Sequence, residues 1–258
     1  MTKIQRFFYS PNNFIAYKSE FSKLKRNLPG IIFVHGFRSD MNGDKVIAVE
    51  SYAKKHDLSF IKFDCRNHGE SSGDKNEGSI STWLEDLNSV ITNLTLKDQK
   101  QILIGSSMGG WLILLAALKN PEKIHGLLGL ASAPDFTKDL MWDKLSTSEQ
   151  TQLLEQGSLK LKADWCTSEY LVTKELIEDA KQHLLLHKPS INIDYPIRLL
   201  HGMNDTDVPF DTSITLAKKL LSKRIKLSLI KDGDHRLSRT QDIDLLLKEL
   251  DELLNIKN

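Results

Sequence analysis

A serine at the centre of Gly105-x-Ser107-x-Gly109 is the residue in this chain best placed to do covalent chemistry. A hydroxyl attacks a carbonyl only when a base takes its proton, so Ser107 requires a histidine. That histidine, turning cationic, requires a carboxylate behind it. Of the 8 histidines, His235 is the one that follows the last strand-like run, in Lys231-Asp232-Gly233-Asp234-His235. Asp205 and Asp207 lie in the polar stretch His201-Gly202-Met203-Asn204-Asp205-Thr206-Asp207-Val208-Pro209 that ends the run before it. The chemistry these residue types imply is acyl transfer through a serine ester.

The elements that must position these groups are legible around each of them. Ile102-Leu103-Ile104 has the apolar density of a buried strand, and Trp111 to Leu118 that of a buried helix. A strand, a glycine-bounded serine and a helix make a nucleophile elbow, in which Ser107 is strained and its neighbours must lack bulk. Ile31 to Val34, Leu58 to Asp64, Ile124 to Leu130, Pro196 to Gly202 and Ile225 to Ile230 read as further strands. Between them stand helical patterns over 41–56, 83–94 and 212–221, and a closing amphipathic helix carries Ile243, Leu246, Leu247, Leu250, Leu253 and Leu254 on one face. The alternation predicts a doubly wound, mostly parallel α/β sheet. Arg6 to Tyr9 and Phe14 to Ser19 flank Pro11-Asn12-Asn13 and predict an antiparallel hairpin at the start. The alternation breaks after Asp135, and 135–194 shows helical patterns with no strand, which predicts a helical cap inserted into a single domain over 1–258.

Composition narrows the classes. With 258 residues and 40% hydrophobic content the chain can bury a large core. A formal net charge of +1 gives no field to recruit nucleic acid or an anionic membrane. Cys65 and Cys166 have no metal-type or CxxC spacing, so a disulfide framework is not expected and a reducing compartment is. No apolar run is long enough for a membrane span, and Met1 to Ser10 shows no secretory signal. The expected location is the cytoplasm, or the mitochondrial matrix for a mature eukaryotic form.

Gly105-x-Ser107-x-Gly109, His201-Gly202-x-x-Asp205-x-x-Val208-Pro209 and Asp234-His235 resemble the serine-hydrolase branch of the α/β-hydrolase superfamily, from the first strands to the last helix. The longer strings Gly105-Ser106-Ser107-Met108-Gly109-Gly110-Trp111-Leu112, Pro196 to Met203, Asp234-His235-Arg236 and Leu28 to Phe33 with Met41-Asn42-Gly43 are similar to the mitochondrial palmitoyl-protein thioesterases. That family is also described as mycophenolic acid acyl-glucuronide esterases and has bacterial relatives. The resemblance implies cleavage of activated acyl groups, ester or thioester, in small molecules or acylated proteins. It orders the catalytic groups Ser, Asp, His, which makes Ser107 the nucleophile and His235 the base. Asp205 is the better placed acid, four residues past the strand's histidine, and Asp207 is its rival. The backbone N–H of Met108 is one expected oxyanion donor, and the family pattern in His35-Gly36-Phe37-Arg38 places the second at Phe37. A single glycine there, in place of an HGGG run, goes in that family with primary and secondary alcohol esters or thioesters.

Trp111 and Arg38 are candidate substrate contacts, with Arg236 a further cation at the expected cleft; each is also read as a core aromatic or a solvated arginine. The insertion's Trp142, Leu145, Trp165 and Leu171 offer an apolar roof for an acyl chain, or a small core for the cap itself. His183 and His187 have a zinc-compatible spacing, but Leu184 stands where HExxH needs glutamate, and neither metal nor cofactor is expected. His35 and His68 are read as structural. The alternatives to a serine esterase are a small-peptide peptidase and a ligand-holding protein of hydrolase type. The sequence leaves the oligomeric state open.

Overall fold

Four described strands are buried along their whole length, and they explain the architecture. The computed structural model describes residues 3–24, 28–163 and 166–255, and of residues 162, 163 and 166–169 the backbone alone. Its main sheet runs β1 (Gln5–Ser10), β2 (Asn13–Glu20), β4 (Phe60–Phe63), β3 (Gly30–Val34), β5 (Gln101–Ser106), β6 (Ile124–Leu130), β9 (Ile197–Gly202), β10 (Ile225–Ile230) in spatial order. The β1–β2 and β2–β4 pairs are antiparallel and the rest parallel. The parallel strands β3, β4, β5 and β6 are buried throughout. A sheet covered by helices on both faces demands that pattern.

One core cluster packs helices α2 (Ile80–Ser89) and α3 (Met108–Lys119) against one face of the sheet. The other packs α1 (Asp44–Lys55) and α7 (Thr240–Leu254) against the opposite face. Every residue of α3 from Met108 to Ala117 is buried, so this helix needs no polar face and gets none. By contrast α7 is amphipathic, presenting Leu246, Leu250, Leu253 and Leu254 to the core. A shorter helix, α6 (Asp211–Lys219), links β9 to β10.

The segment between β6 and β9 departs from the purely helical expectation. It contains α4 (Thr147–Gln156) and α5 (Lys174–Ala180), and between them an antiparallel hairpin of β7 (Ser158–Ala163) and β8 (Cys166–Thr173). Gly157, left-handed at φ 79°, closes α4 and turns the chain into β7. Leu159 faces Val172, and both are buried. Two-residue alternation wins here because one side of the hairpin packs on the core and the other does not.

Candidate active site

Parallel strands send their carboxyl ends to one edge of the sheet, and the residues singled out by the sequence sit in the loops at that edge. Ser107 follows β5 with φ 54° and ψ −118°, outside the regions an L-residue normally adopts. A conformation of that kind costs about 1–3 kcal/mol and persists only where its surroundings hold it. Here Ser107 N–H donates to the Leu130 carbonyl (2.9 Å), and its own carbonyl accepts from the N–H groups of Gly110 (2.8 Å) and Ala133 (3.1 Å). The flanking glycines are needed for close approach. A Cβ at Gly105 would stand 2.3 Å from the Gly109 carbonyl oxygen, and one at Gly109 2.3 Å from that of Val34.

His235 lies in the loop after β10, and Asp205 in the loop after β9. Asp205 Oδ2 accepts from His235 Nδ1 at 2.7 Å. The same oxygen takes a second, longer contact from His201 Nε2 at 3.1 Å, while Oδ1 accepts the backbone N–H groups of Asp207 (2.9 Å) and Val208 (2.8 Å). The Asp205 side chain is fully buried. Burial pushes its carboxyl upward, but the hydrogen bonds from His201 and His235, the charge of His235 and the Val208 N–H outweigh it and hold the carboxyl far below the usual range. Asp207 lines the cavity in front of this pair, while the 2.7 Å contact to His235 Nδ1 belongs to Asp205.

His201, the histidine of β9, is a second brace on Asp205. Its Nε2 faces the Val208 carbonyl at 2.9 Å, which can only accept, so the proton sits on Nε2; Nδ1 faces Ser213 Oγ at 2.7 Å. The i, i+4 relation between His201 and Asp205 was in the sequence, but nothing local distinguished it from a strand end.

Ser107, Met108, Phe37 and His235 line one cavity of about 270 Å³. Among the described residues no hydrogen bond joins Ser107 Oγ to His235; contacts of this kind tighten when substrate binds. Met108 is the first residue of α3, so its N–H has no acceptor within the helix. The loop carrying Phe37 is held from behind. His35 Nδ1–H donates to the Gly36 carbonyl (2.7 Å), and its Nε2 accepts the Cys65 N–H (3.0 Å), which fixes a neutral tautomer. Burial lowers the pKa of His35 to match. Asp64, also buried, accepts the N–H groups of Met41 (2.7 Å) and Glu70 (2.9 Å) on either side of this floor. The Phe37 ring packs against Trp83 and Phe136, each 5.8 Å away between centroids.

The expected substrate contacts need correction. Trp111 is fully buried, so no substrate can touch it; its indole N–H donates to the His183 carbonyl (3.1 Å) and its ring edge meets Phe136 at 5.8 Å. Arg38 is exposed, with its guanidinium 6.0 Å from the Tyr170 ring, and it is not among the residues lining the cavity. Among the described residues the cations that do line it are Lys45, which no local pattern singles out, and Arg236. Among the described residues, those lining the cavity from the insertion are Phe136, Leu140, Met141 and Tyr170, not Trp142, Leu145 or Leu171. Trp142 and Leu145 pack on the core instead, and Trp165 lies outside the described residues. His183 and His187 do not share a ligand position. His183 Nε2 meets Ser81 Oγ at 2.7 Å, and His187 Nε2 meets Asp139 Oδ1 at 3.1 Å. Asp135, beside His187, already accepts the N–H groups of Leu185 and Leu186.

Comparison with known proteins gives a consistent set of likenesses. Residues 29–176 match the alpha/beta hydrolase fold family. The mitochondrial palmitoyl-protein thioesterase ABHD10 of Homo sapiens is 39% identical over 242 residues, 93% of this chain and 76% of that protein. A putative esterase/lipase of Haemophilus influenzae is 34% identical over 117 residues, 45% of this chain and 39% of that one. Among solved structures, alpha/beta hydrolase domain-containing protein 10 from mouse superposes with a TM-score of 0.88 at 35% identity, covering 98% of both chains. A putative hydrolase from Agrobacterium vitis gives 0.90 at 32% identity, covering 99% of both.

Proposed function

The chain belongs to the alpha/beta hydrolase fold family and is a hydrolase, and from that premise we propose that it cleaves carboxylic esters or thioesters through an acyl-enzyme on Ser107. The observation that carries this reading is the 2.7 Å contact between Asp205 Oδ2 and His235 Nδ1, in loops that open onto the cavity holding the strained Ser107. With the proton kept on Nδ1, His235 Nε2 is free to take the Ser107 proton as Oγ adds to the carbonyl carbon. The oxygen that gains the charge is met by the N–H groups of Met108 and Phe37; one such donor contributes about 10²–10³ in rate. Collapse expels the alcohol or thiol, which leaves with the proton from Nε2. Water then gives its proton to Nε2 and displaces the acyl group, and Ser107 recovers its own. Ester or thioester plus water becomes acid plus alcohol or thiol.

The insertion over 135–194 acts as a cap in a single domain, its Phe136, Leu140, Met141 and Tyr170 facing the acyl chain. Small molecules and acylated proteins are both within this substrate class. The thioesterase name of the mitochondrial relative supports the thioester half. The compartment we propose is the cytoplasm, or the mitochondrial matrix for a eukaryotic source; among the described residues no helix is long and apolar enough to cross a membrane. Subcellular fractionation checks the location.

A fluorophosphonate should label Ser107, and Ser107→Ala should lose both label and turnover with its unfolding midpoint unchanged. On a substrate panel, activated esters and thioesters should rank first in kcat/KM, with anilides and tert-butyl esters at background. Robust anilide cleavage would make the protein a peptidase. A labelled Ser107 with no turnover on any acyl substrate would make it a ligand-holding protein.

A further inference from the structure

Lys45 is the second residue of α1, half-buried, and it lines the cavity with Ser107 and His235. Its Nζ donates to the backbone carbonyl of Arg236, 191 residues away, and among the described residues no carboxylate forms an ion pair with it. Burial is the largest influence on its charge and pushes its pKa down to about 8. Asp234 and Asp44, and then Asp242, pull the other way from a distance, while Arg236 adds to the fall. An ammonium kept from water with no counter-charge gives up its proton readily, and the neutral amine is a nucleophile.

That amine shares its cavity with the serine to which activated acyl groups are brought. Its hydrogen bond to the Arg236 carbonyl uses one N–H and leaves the nitrogen lone pair free to attack. Addition to a thioester carbonyl forms the C–N bond, and collapse breaks the C–S bond. The thiolate departs and takes up the proton that the nitrogen sheds, so acyl thioester plus amine becomes amide plus thiol. The amide keeps one N–H for the Arg236 carbonyl, which preserves the anchor while removing the charge. An amine leaves far less readily than an alcohol or thiol, so the amide outlasts the ester on Ser107 and accumulates.

We propose that Lys45 is a site of N-acylation, modified by the acyl thioesters that enter the cavity. This rests on the esterase reading above, which supplies the acyl donor. At pH 7.5 a pKa of about 8 leaves roughly a quarter of the amine neutral, against about 0.1% for a lysine at its ordinary value. Lower basicity takes back part of that advantage, so Lys45 should acylate about tenfold faster than the exposed Lys54 and Lys55 of the same helix. The test incubates Ser107→Ala, in which no acyl-serine forms, with S-butyryl-N-acetylcysteamine. Hydroxylamine then strips oxygen and sulfur esters, and peptide mass spectrometry maps butyryl-lysine. The unsubstituted protein, mapped in the same way, keeps the test if Ser107→Ala does not fold. The rate at Lys45 should rise with pH and level off above about 8, because the ammonium prevails below that value and the free amine above it. Among the described residues the other titratable side chains lining the cavity are Tyr170, Asp207, His235 and Arg236, and in Ser107→Ala His235 has no serine to activate. Modification of Lys45 no faster than that of Lys54 and Lys55, or a rate still climbing tenfold per unit from pH 8.5 to 9.5, overturns the proposal. Fluorophosphonate labelling of the unsubstituted protein separates the two failures. A labelled Ser107 with Lys45 unmodified leaves the esterase reading standing, and an unlabelled Ser107 with Lys45 unmodified overturns both.

Discussion

Replacing Asp205 by asparagine changes one atom and tests the whole relay. Asp205 has two oxygens and two sets of donors: Oδ2 serves His235 Nδ1 and His201 Nε2, and Oδ1 serves the Asp207 and Val208 N–H groups. Asparagine has one oxygen and one amide nitrogen. If the oxygen turns to His235, the amide N–H₂ faces two backbone N–H groups, and each donor left unsatisfied costs about 1–3 kcal/mol. If the oxygen turns to the backbone, the amide donates toward His235 Nδ1 and drives the imidazole proton onto Nε2. In the proposed mechanism that is the nitrogen that must accept from Ser107. The second orientation satisfies the rigid backbone, so it prevails and the base is held in the wrong tautomer. kcat should fall about 10³–10⁴-fold, roughly 4–5.5 kcal/mol of barrier, with KM little changed. The assay is steady-state hydrolysis of a p-nitrophenyl ester beside a thermal unfolding curve. Asp207→Asn, measured alongside, should stay within a few-fold. A kcat for Asp205→Asn within tenfold of the unsubstituted protein, or equal losses at both positions, would refute this account of the loop.

Two other perturbations probe the frame around the site. Gly109→Ala would put a Cβ 2.3 Å from the Val34 carbonyl oxygen and 2.6 Å from that of His35, backbone that cannot swing aside. It should cost about 1–3 kcal/mol of stability and displace the loop that carries Phe37. Denaturant unfolding with kcat on the same ester reads both, and a variant as stable and active as the parent contradicts the packing argument. Burial, and then the neighbouring His35, push the pKa of His68 down to about 3. The unfolded chain takes up that proton below about pH 6.5, so stability falls as pH drops from there towards 3, by about 1.4 kcal/mol per pH unit for this group. His68→Gln should make the urea midpoint less sensitive to pH between 7 and 4.5, and an unaltered slope shows that His68 does not carry the effect.

What was legible in the sequence was whatever a short window encodes. The elbow declares itself because strain, glycine spacing and the apolar runs on both sides are all local. The hairpin inside the insertion escapes the sequence for the opposite reason. In Ser158-Leu159-Lys160-Leu161 the two-residue alternation is present, yet four residues beside long helical patterns weigh little until β8 pairs with them. For Trp111 the sequence leaves substrate contact and core aromatic both open, and α3, apolar all round, decides for core: its one polar atom finds a carbonyl. Lys45 could not have been selected at all. A lysine in the first turn of a helix reads as solvated, and only the folded sheet carries it to Arg236.

The way the insertion is fastened bears on how such a protein diversifies. Asp135, buried at its first residue, accepts the N–H groups of Leu185 and Leu186, fifty residues on, so one carboxylate ties the start of the segment to a point near its end. Once the ends are pinned, the length between them is thermodynamically cheap: doubling a loop adds only about 0.6 kcal/mol of closure entropy. Turns, helices or a longer hairpin can be exchanged inside this staple without moving the loops after β5, β9 and β10. If the insertion faces the acyl chain as proposed, selectivity and catalysis become separable by recombination, and grafting the segment between Asp135 and Leu185 from a relative tests that directly.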